Sequence, residues 1–133
     1  MKIKQVTFYA LWALRNIYLD DAEIVTSNVI AEKENISQGV LLRILRLLSK
    51  QGIVEAHQGR GNVCGGFSLS KSIEDITLLE VIEAMEGEID IYRNIQLPFR
   101  EPDALLNKTF GTINQNLRNE FAKRTVRDVF KLK

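Results

Sequence analysis

The sequence predicts a mainly α-helical fold with one small β-hairpin wing: a winged helix-turn-helix domain followed by a long C-terminal dimerisation helix. Three observations carry this. Two short helical stretches meet at a tight turn, Glu34-Asn35-Ile36-Ser37; a glycine-rich hairpin follows them directly; and a long segment with an apolar seam begins after Pro102. The expected division is residues 1–87 for the winged domain, 88–101 for a connecting segment, and 102–133 for the dimerisation helix with a last turn.

The first helix is expected over about Gln5 to Leu19, where Val6, Ala10, Ala13, Leu14 and Ile17 recur at helical spacing before Asp20 and Asp21 end it. A short second helix is expected over Ser27 to Lys33, capped by Thr26 or Ser27. Asn35 tolerates the left-handed backbone that a sharp turn requires. Ser37 is a favourable N-cap for a third helix, Gln38 to Gln51, and Gly52 a favourable stop. Ile53-Val54-Glu55-Ala56-His57 alternates and begins β-branched, so it reads as a strand, and Gly66-Phe67-Ser68-Leu69-Ser70 reads as its partner. Glycines at 59, 61, 65 and 66 make the loop between them a flexible tip that carries Arg60. A plain surface loop would account for those residues taken alone, but a hairpin directly after a helix-turn-helix is the wing of a winged helix. Thr77-Leu78-Leu79-Glu80 has the form of a capping box and opens a short helix to about Glu86, with Gly87 past its end. Glu88 to Glu101 is irregular. Pro102 suits the first turn of a long helix, Asp103 to Lys123, on which Leu106, Phe110, Ile113, Leu117 and Phe121 form a near-heptad seam. A winged domain of about 85 residues is complete without this helix. The seam is therefore expected to pack on a second copy of the chain rather than to serve a domain of its own. Thr125 is expected to cap a last turn, Val126 to Phe130.

Composition narrows the function classes. The apolar share of the 133 residues, 45%, is that of an ordinary globular chain. No apolar run reaches the roughly 18 residues of a membrane span. The start, Met1-Lys2-Ile3-Lys4-Gln5, leads into neither the apolar stretch nor the cleavage site of a signal peptide. A cytoplasmic protein without membrane contact is expected, and the single cysteine, Cys64, which cannot form an internal disulfide, agrees. Enzymatic activity is not expected. The one histidine, His57, lies in a wing strand and cannot complete a Ser–His–Asp set; no paired acid–base residues and no nucleotide-binding glycine motif stand out.

The formal net charge of +1 neither demands nor excludes nucleic acid, because the placement of charge decides. Between Gln38 and Arg60 stand Arg43, Arg46, Lys50 and Arg60 against one acid, Glu55, while acids gather in Asp20-Asp21-Ala22-Glu23 and from Glu74 to Asp90. On the third helix Leu41, Ile44, Leu45 and Leu48 share one face, and Gly39, Arg43, Arg46 and Lys50 the opposite one. Most such basic stripes are solvated faces. Two short helices joined by a tight turn change the balance, because that layout places its second helix in a DNA major groove.

In this order and spacing the residues resemble the Rrf-two family of bacterial winged helix-turn-helix regulators, which includes an iron–sulfur cluster regulator, a nitric-oxide sensor and a cysteine-metabolism repressor. The matching stretches are Thr7-Phe8-Tyr9-Ala10-Leu11-Trp12-Ala13-Leu14, Ile30-Ala31-Glu32, Asn35-Ile36-Ser37, Leu41-Leu42-Arg43-Ile44-Leu45, Gly52-Ile53-Val54, Gly65-Gly66-Phe67-Ser68-Leu69, and Ile76 through Gly87. The likeness is dense over the first 90 or so residues and returns loosely in the long helix and in Thr125-Val126-Arg127-Asp128-Val129. The resemblance implies a homodimer that binds double-stranded DNA at an inverted-repeat operator, acting as a repressor, with the third helix in the major groove and the wing near a minor groove. Carried over residue by residue, the DNA contacts would be Ser37, Gln38, Gly39, Arg43, Arg46 and Lys50, with Arg60 and Asn62 from the wing. Gln38 suits an adenine edge, Arg43 a guanine or a phosphate, and the backbone N–H groups after Ser37 a phosphate.

The departures matter equally. Cluster-binding relatives carry three cysteines between the short helix and the dimer helix; this chain has none there, and Asn94 stands about where the first would be. No cofactor is therefore expected. Trp12 stands where an arginine is common, and the wing is slightly long between Gly61 and Gly65. The effector is not legible: a small molecule or partner protein acting on the connecting segment, redox chemistry at Cys64, and no signal at all are each open. A second class of function, a winged-helix module for protein–protein contact with little DNA affinity, differs from the first in its salt dependence on DNA.

Overall fold

The computed structural model describes residues 2–59, 65–91 and 103–133. In chain order the elements are α1 (Gln5–Leu19), α2 (Ser27–Glu34), α3 (Gln38–Lys50), β1 (Val54–His57), β2 (Gly66–Leu69), a single 3-10 turn (Ile73–Asp75), α4 (Leu78–Glu86), α5 (Ala104–Ala122) and α6 (Val126–Phe130). The mainly helical fold with one hairpin is the class that the pattern predicts.

Local chemistry explains most boundaries. Asn35 ends α2 in the left-handed conformation, φ 54°, and Gly52 turns the chain out of α3 at φ 76°. The Ser37 hydroxyl accepts the Val40 N–H at 3.4 Å and caps α3. At α4 only half of the capping box forms. The Thr77 hydroxyl accepts the Glu80 N–H at 3.1 Å, but the Glu80 carboxylate turns away to the Lys71 ammonium, at 2.9 and 2.7 Å.

The core lies between α1, α2, α3 and α4. Leu14, Ile30, Leu41, Ile44, Leu45, Leu48 and Val81 are fully buried there, each contributing about 1.5–3 kcal/mol of burial to the fold. On α1 the inward face is Thr7, Ala10, Ala13, Leu14 and Ile17, with Val6 only half-buried. The Thr7 hydroxyl, buried among them, donates to the Glu86 carboxylate at the end of α4.

β1 and β2 pair antiparallel, Val54 opposite Leu69 and His57 opposite Gly66. The hairpin is also fastened to the helical body by Val25, whose N–H donates to Phe67 O at 2.9 Å and whose carbonyl accepts the Phe67 N–H at 2.8 Å. This close approach explains Gly65 and Gly66. A Cβ on Gly66 would stand 2.6 Å from the Val25 carbonyl oxygen, and one on Gly65 would collide with the His57 carbonyl. Those two glycines, expected in a flexible tip, instead form the packed base of the hairpin.

The chain end returns to the winged domain. The Leu78 N–H donates to Arg124 O at 2.8 Å and the Val126 N–H to Ile76 O at 2.9 Å, and Val126 is fully buried in the core. Arg127 reaches Glu74 at 2.5 Å, and the Arg15 guanidinium lies 4.6 Å over the Phe130 ring. A division at residue 102 thus separates α5 from the core, but α6 packs with α1 and the 3-10 turn of the first unit. Within α5 no residue is buried. No helix among the described residues is long and apolar enough to cross a membrane.

Candidate nucleic-acid interface

α3 turns Leu41, Ile44, Leu45 and Leu48 into the core and leaves Gly39, Arg43, Arg46 and Lys50 exposed on the other side. The pairing of the arginines separates this face from the rest. Among the described residues, the arginines outside α3 each pair with a carboxylate: Arg15 with Glu34 at 3.4 Å, Arg118 with Glu83 at 2.6 Å, Arg124 with Glu120 at 2.7 Å, and Arg127 with Glu74 at 2.5 Å. Arg43, Arg46 and Lys50 have no such partner among the described residues. Three cations on one exposed face, kept clear of acids, form a surface open to an external polyanion.

The start of α3 completes this face. Ser37 and Gln38 are exposed, and a Cβ added to Gly39 would meet nothing within 4 Å. The protein's own packing therefore does not require glycine at 39. Gln38 is not free in solvent: its Nε2 donates to the Ser27 hydroxyl of α2 at 2.6 Å. Ser27, which sequence reading used only as a candidate helix cap, thus joins the face; Thr26 occupies the N-cap position instead, without a side-chain cap bond. The contact that draws Ser27 in crosses the turn, and sequence spacing within one helix carries no signal of it. The wing candidates Arg60 and Asn62, and Cys64, lie outside the described residues.

The expected seam on α5 contains no buried residue. Leu106, Phe110 and Ile113 are exposed, Leu117 and Phe121 half-buried, and Leu105 is 74% exposed. α5 is held to α4 by Arg118, whose charged form the hydrogen bond it donates to Glu83 stabilises, so that its pKa is raised.

Comparison with known proteins agrees with this architecture. The Rrf2 family model, described as "Iron-dependent Transcriptional regulator", matches residues 3–132. The HTH-type transcriptional regulator IscR of Cereibacter sphaeroides is 30% identical over 93 residues, 68% of this chain and 58% of that protein. YwnA of Bacillus subtilis, whose assignment as an HTH-type transcriptional regulator is itself provisional, is 29% identical over 113 residues, 80% of this chain and 82% of that protein. The solved structure of CymR, the global cysteine regulator of Bacillus subtilis, superposes with a TM-score of 0.73 over 100% of this chain and 98% of its own, at 20% identity. That likeness is one of fold.

Iron in such a family calls for a donor set, and the residues here do not supply one for a cluster. The chain holds a single thiol, Cys64, and its 88–101 segment holds none. Among the described residues no three His, Cys, Asp or Glu side chains converge to hold a metal ion. A family model that spans residues 3–132, over a winged helix-turn-helix with an exposed basic face on α3, places this chain in the Rrf2 family of DNA-binding transcription regulators, which are not enzymes.

Proposed function

We propose that the chain acts as a homodimeric repressor at an inverted-repeat operator, and that it does so without an iron–sulfur cluster. In this reading α3 enters a major groove with Arg43 toward a base edge, Arg46 and Lys50 toward the backbone, and the hairpin with Arg60 and Asn62 toward the adjacent minor groove. Ser37, Gln38 and Gly39 meet the DNA at the start of the helix, where backbone N–H groups donate to a phosphate. The observation that carries the reading is that Arg43, Arg46 and Lys50 have no carboxylate partner among the described residues, while the other described arginines are each paired with one.

The homodimer rests on α5. A helix of 19 residues with no buried side chain and with Leu105, Leu106, Phe110 and Ile113 exposed presents an apolar stripe at the surface. A second copy meets it with an identical stripe, and a two-fold pair of α3 helices then matches a two-fold operator.

Selection of tight-binding duplexes from a random pool tests the proposal. The selected sites should be inverted repeats that bind two chains each, with an affinity that falls steeply as salt rises, because bound phosphates release counterions. A chain that enriches no duplex, or binds DNA with no salt dependence, is a protein-contact module instead.

A further inference from the structure

Between the first turn of α2, the C-terminal half of α3 and the base of the hairpin lies an open cleft of about 470 Å3. Its polar side chains include Ser27, Asn28, Arg46, Ser49 and His57, and no carboxylate lines it among the described residues. Arg46 has no ion-pair partner among the described residues. The His57 ring is steadied at the cleft wall by Ser68, Nε2 to Oγ 2.8 Å. A cleft that offers one full cation and several hydrogen-bond donors without a negative charge fits an anion that accepts from several sides.

Ser27 links this cleft to the reading end of α3. A serine hydroxyl has one hydrogen to donate and two lone pairs to accept with. The Gln38 amide, donating at 2.6 Å, takes one lone pair. The hydroxyl hydrogen is left to donate to an acceptor in the cleft, while Gln38 is held through its Nε2, which leaves its carbonyl oxygen outside this bond. Because Arg46 belongs to the same stripe as Arg43 and Lys50, a duplex that meets those residues brings its backbone to the cleft.

We infer that the cleft seats one DNA backbone phosphate and that Ser27, bridging this phosphate to Gln38, is a positioning residue for base selection at the start of α3. The inference rests on the reading of α3 as the DNA-contacting helix. Phosphate contact fixes register without reading sequence; the Ser27 bridge ties that register to the orientation of one reading side chain.

The test uses the full-length protein and its selected operator, with single phosphates replaced in turn by uncharged methylphosphonate. In wild type one replacement per half-site should weaken binding about tenfold, the loss of one charge-assisted contact. Ser27→Ala and Arg46→Ala should each bind more weakly from the outset and be blunted to that same replacement. Ser27→Ala should also flatten base preference at one position per half-site, the position that Gln38→Ala flattens, while its thermal unfolding stays that of wild type. Ser27→Thr, which keeps the hydroxyl, should restore both responses. If Ser27→Ala keeps full sensitivity at every phosphate and the wild-type base preference, the inference is wrong. Should inorganic phosphate fill the cleft while no methylphosphonate position matters, the DNA backbone is not its occupant and the inference again fails. Arg43→Ala separates this failure from that of the broader reading: if it too leaves binding unchanged, α3 is not the contacting helix.

Discussion

The Arg118 guanidinium of α5 grips the Glu83 carboxylate of α4 with both terminal nitrogens, Nη1 at 2.6 Å from Oε2 and Nη2 at 3.4 Å from Oε1. The same Nη1 donates to the Ile89 carbonyl at 3.2 Å, and the Ile89 N–H donates to Glu83 Oε2 at 3.0 Å. One ion pair and the backbone N–H and carbonyl of one residue, Ile89, thus lock α5 to the end of the winged domain. Both side chains are about three-quarters shielded, with 24% and 25% exposure. Arg118→Met should therefore lower stability by about 1–2 kcal/mol, the range for a charge-assisted hydrogen bond of this burial. Urea unfolding measures it, and an unchanged midpoint would show that the joint adds nothing.

Gly39 separates a folding role from a binding role. Its Cβ space is empty and it lies inside a helix, where alanine is favoured over glycine by about 1 kcal/mol. Gly39→Ala should raise the unfolding midpoint and weaken operator binding, because the new methyl group stands where the DNA backbone approaches. A variant that is more stable and binds as tightly as wild type would free Gly39 of any DNA role.

The α5 stripe sets the oligomeric state. Ile113→Asp with Leu117→Asp places two carboxylates per chain on that stripe, and a buried unpaired charge costs several kcal/mol. Sedimentation should return a monomer that keeps its helical circular dichroism. A folded variant that still sediments as a dimer would move the interface elsewhere.

The absence of a thiol donor set has a direct readout. Protein prepared without oxygen should be colourless and free of stoichiometric iron and sulfide, because the single Cys64 cannot supply the ligands of a cluster. A brown preparation with both elements in cluster ratio would reverse the expectation.

The helices were legible because their signals are local. Asn35 and Ser37 mark turn and cap and Gly52 the stop, each from its own residue type, and the Leu41, Ile44, Leu45, Leu48 stripe needs only helical periodicity. What was not legible depends on contacts between distant segments. Gly65 and Gly66 look like flexible punctuation until Val25 and His57 are seen to crowd them. α6 looks like an appendage to α5 until the Thr77 and Thr125 segments pair and bury Val126. The same holds at the candidate interface. The basic stripe is visible in the sequence, but its lack of ion pairs among the described residues, and the Ser27–Gln38 bond, appear only when the other helices are placed around it.

The central claim is that unpaired cations on α3 bind DNA while paired cations elsewhere do not. Operator affinity across a salt series tests it by comparing two double variants of equal charge loss. One is Arg43→Ala with Arg46→Ala; the other is Lys123→Ala with Arg124→Ala, both of whose partners are Glu120. The α3 variant should lose at least about tenfold in affinity, with a salt slope shallower by about one for each phosphate contact removed. The α5 variant should bind as wild type does. Equal affinity in the α3 variant and wild type, or an equal loss in both variants, would contradict the account.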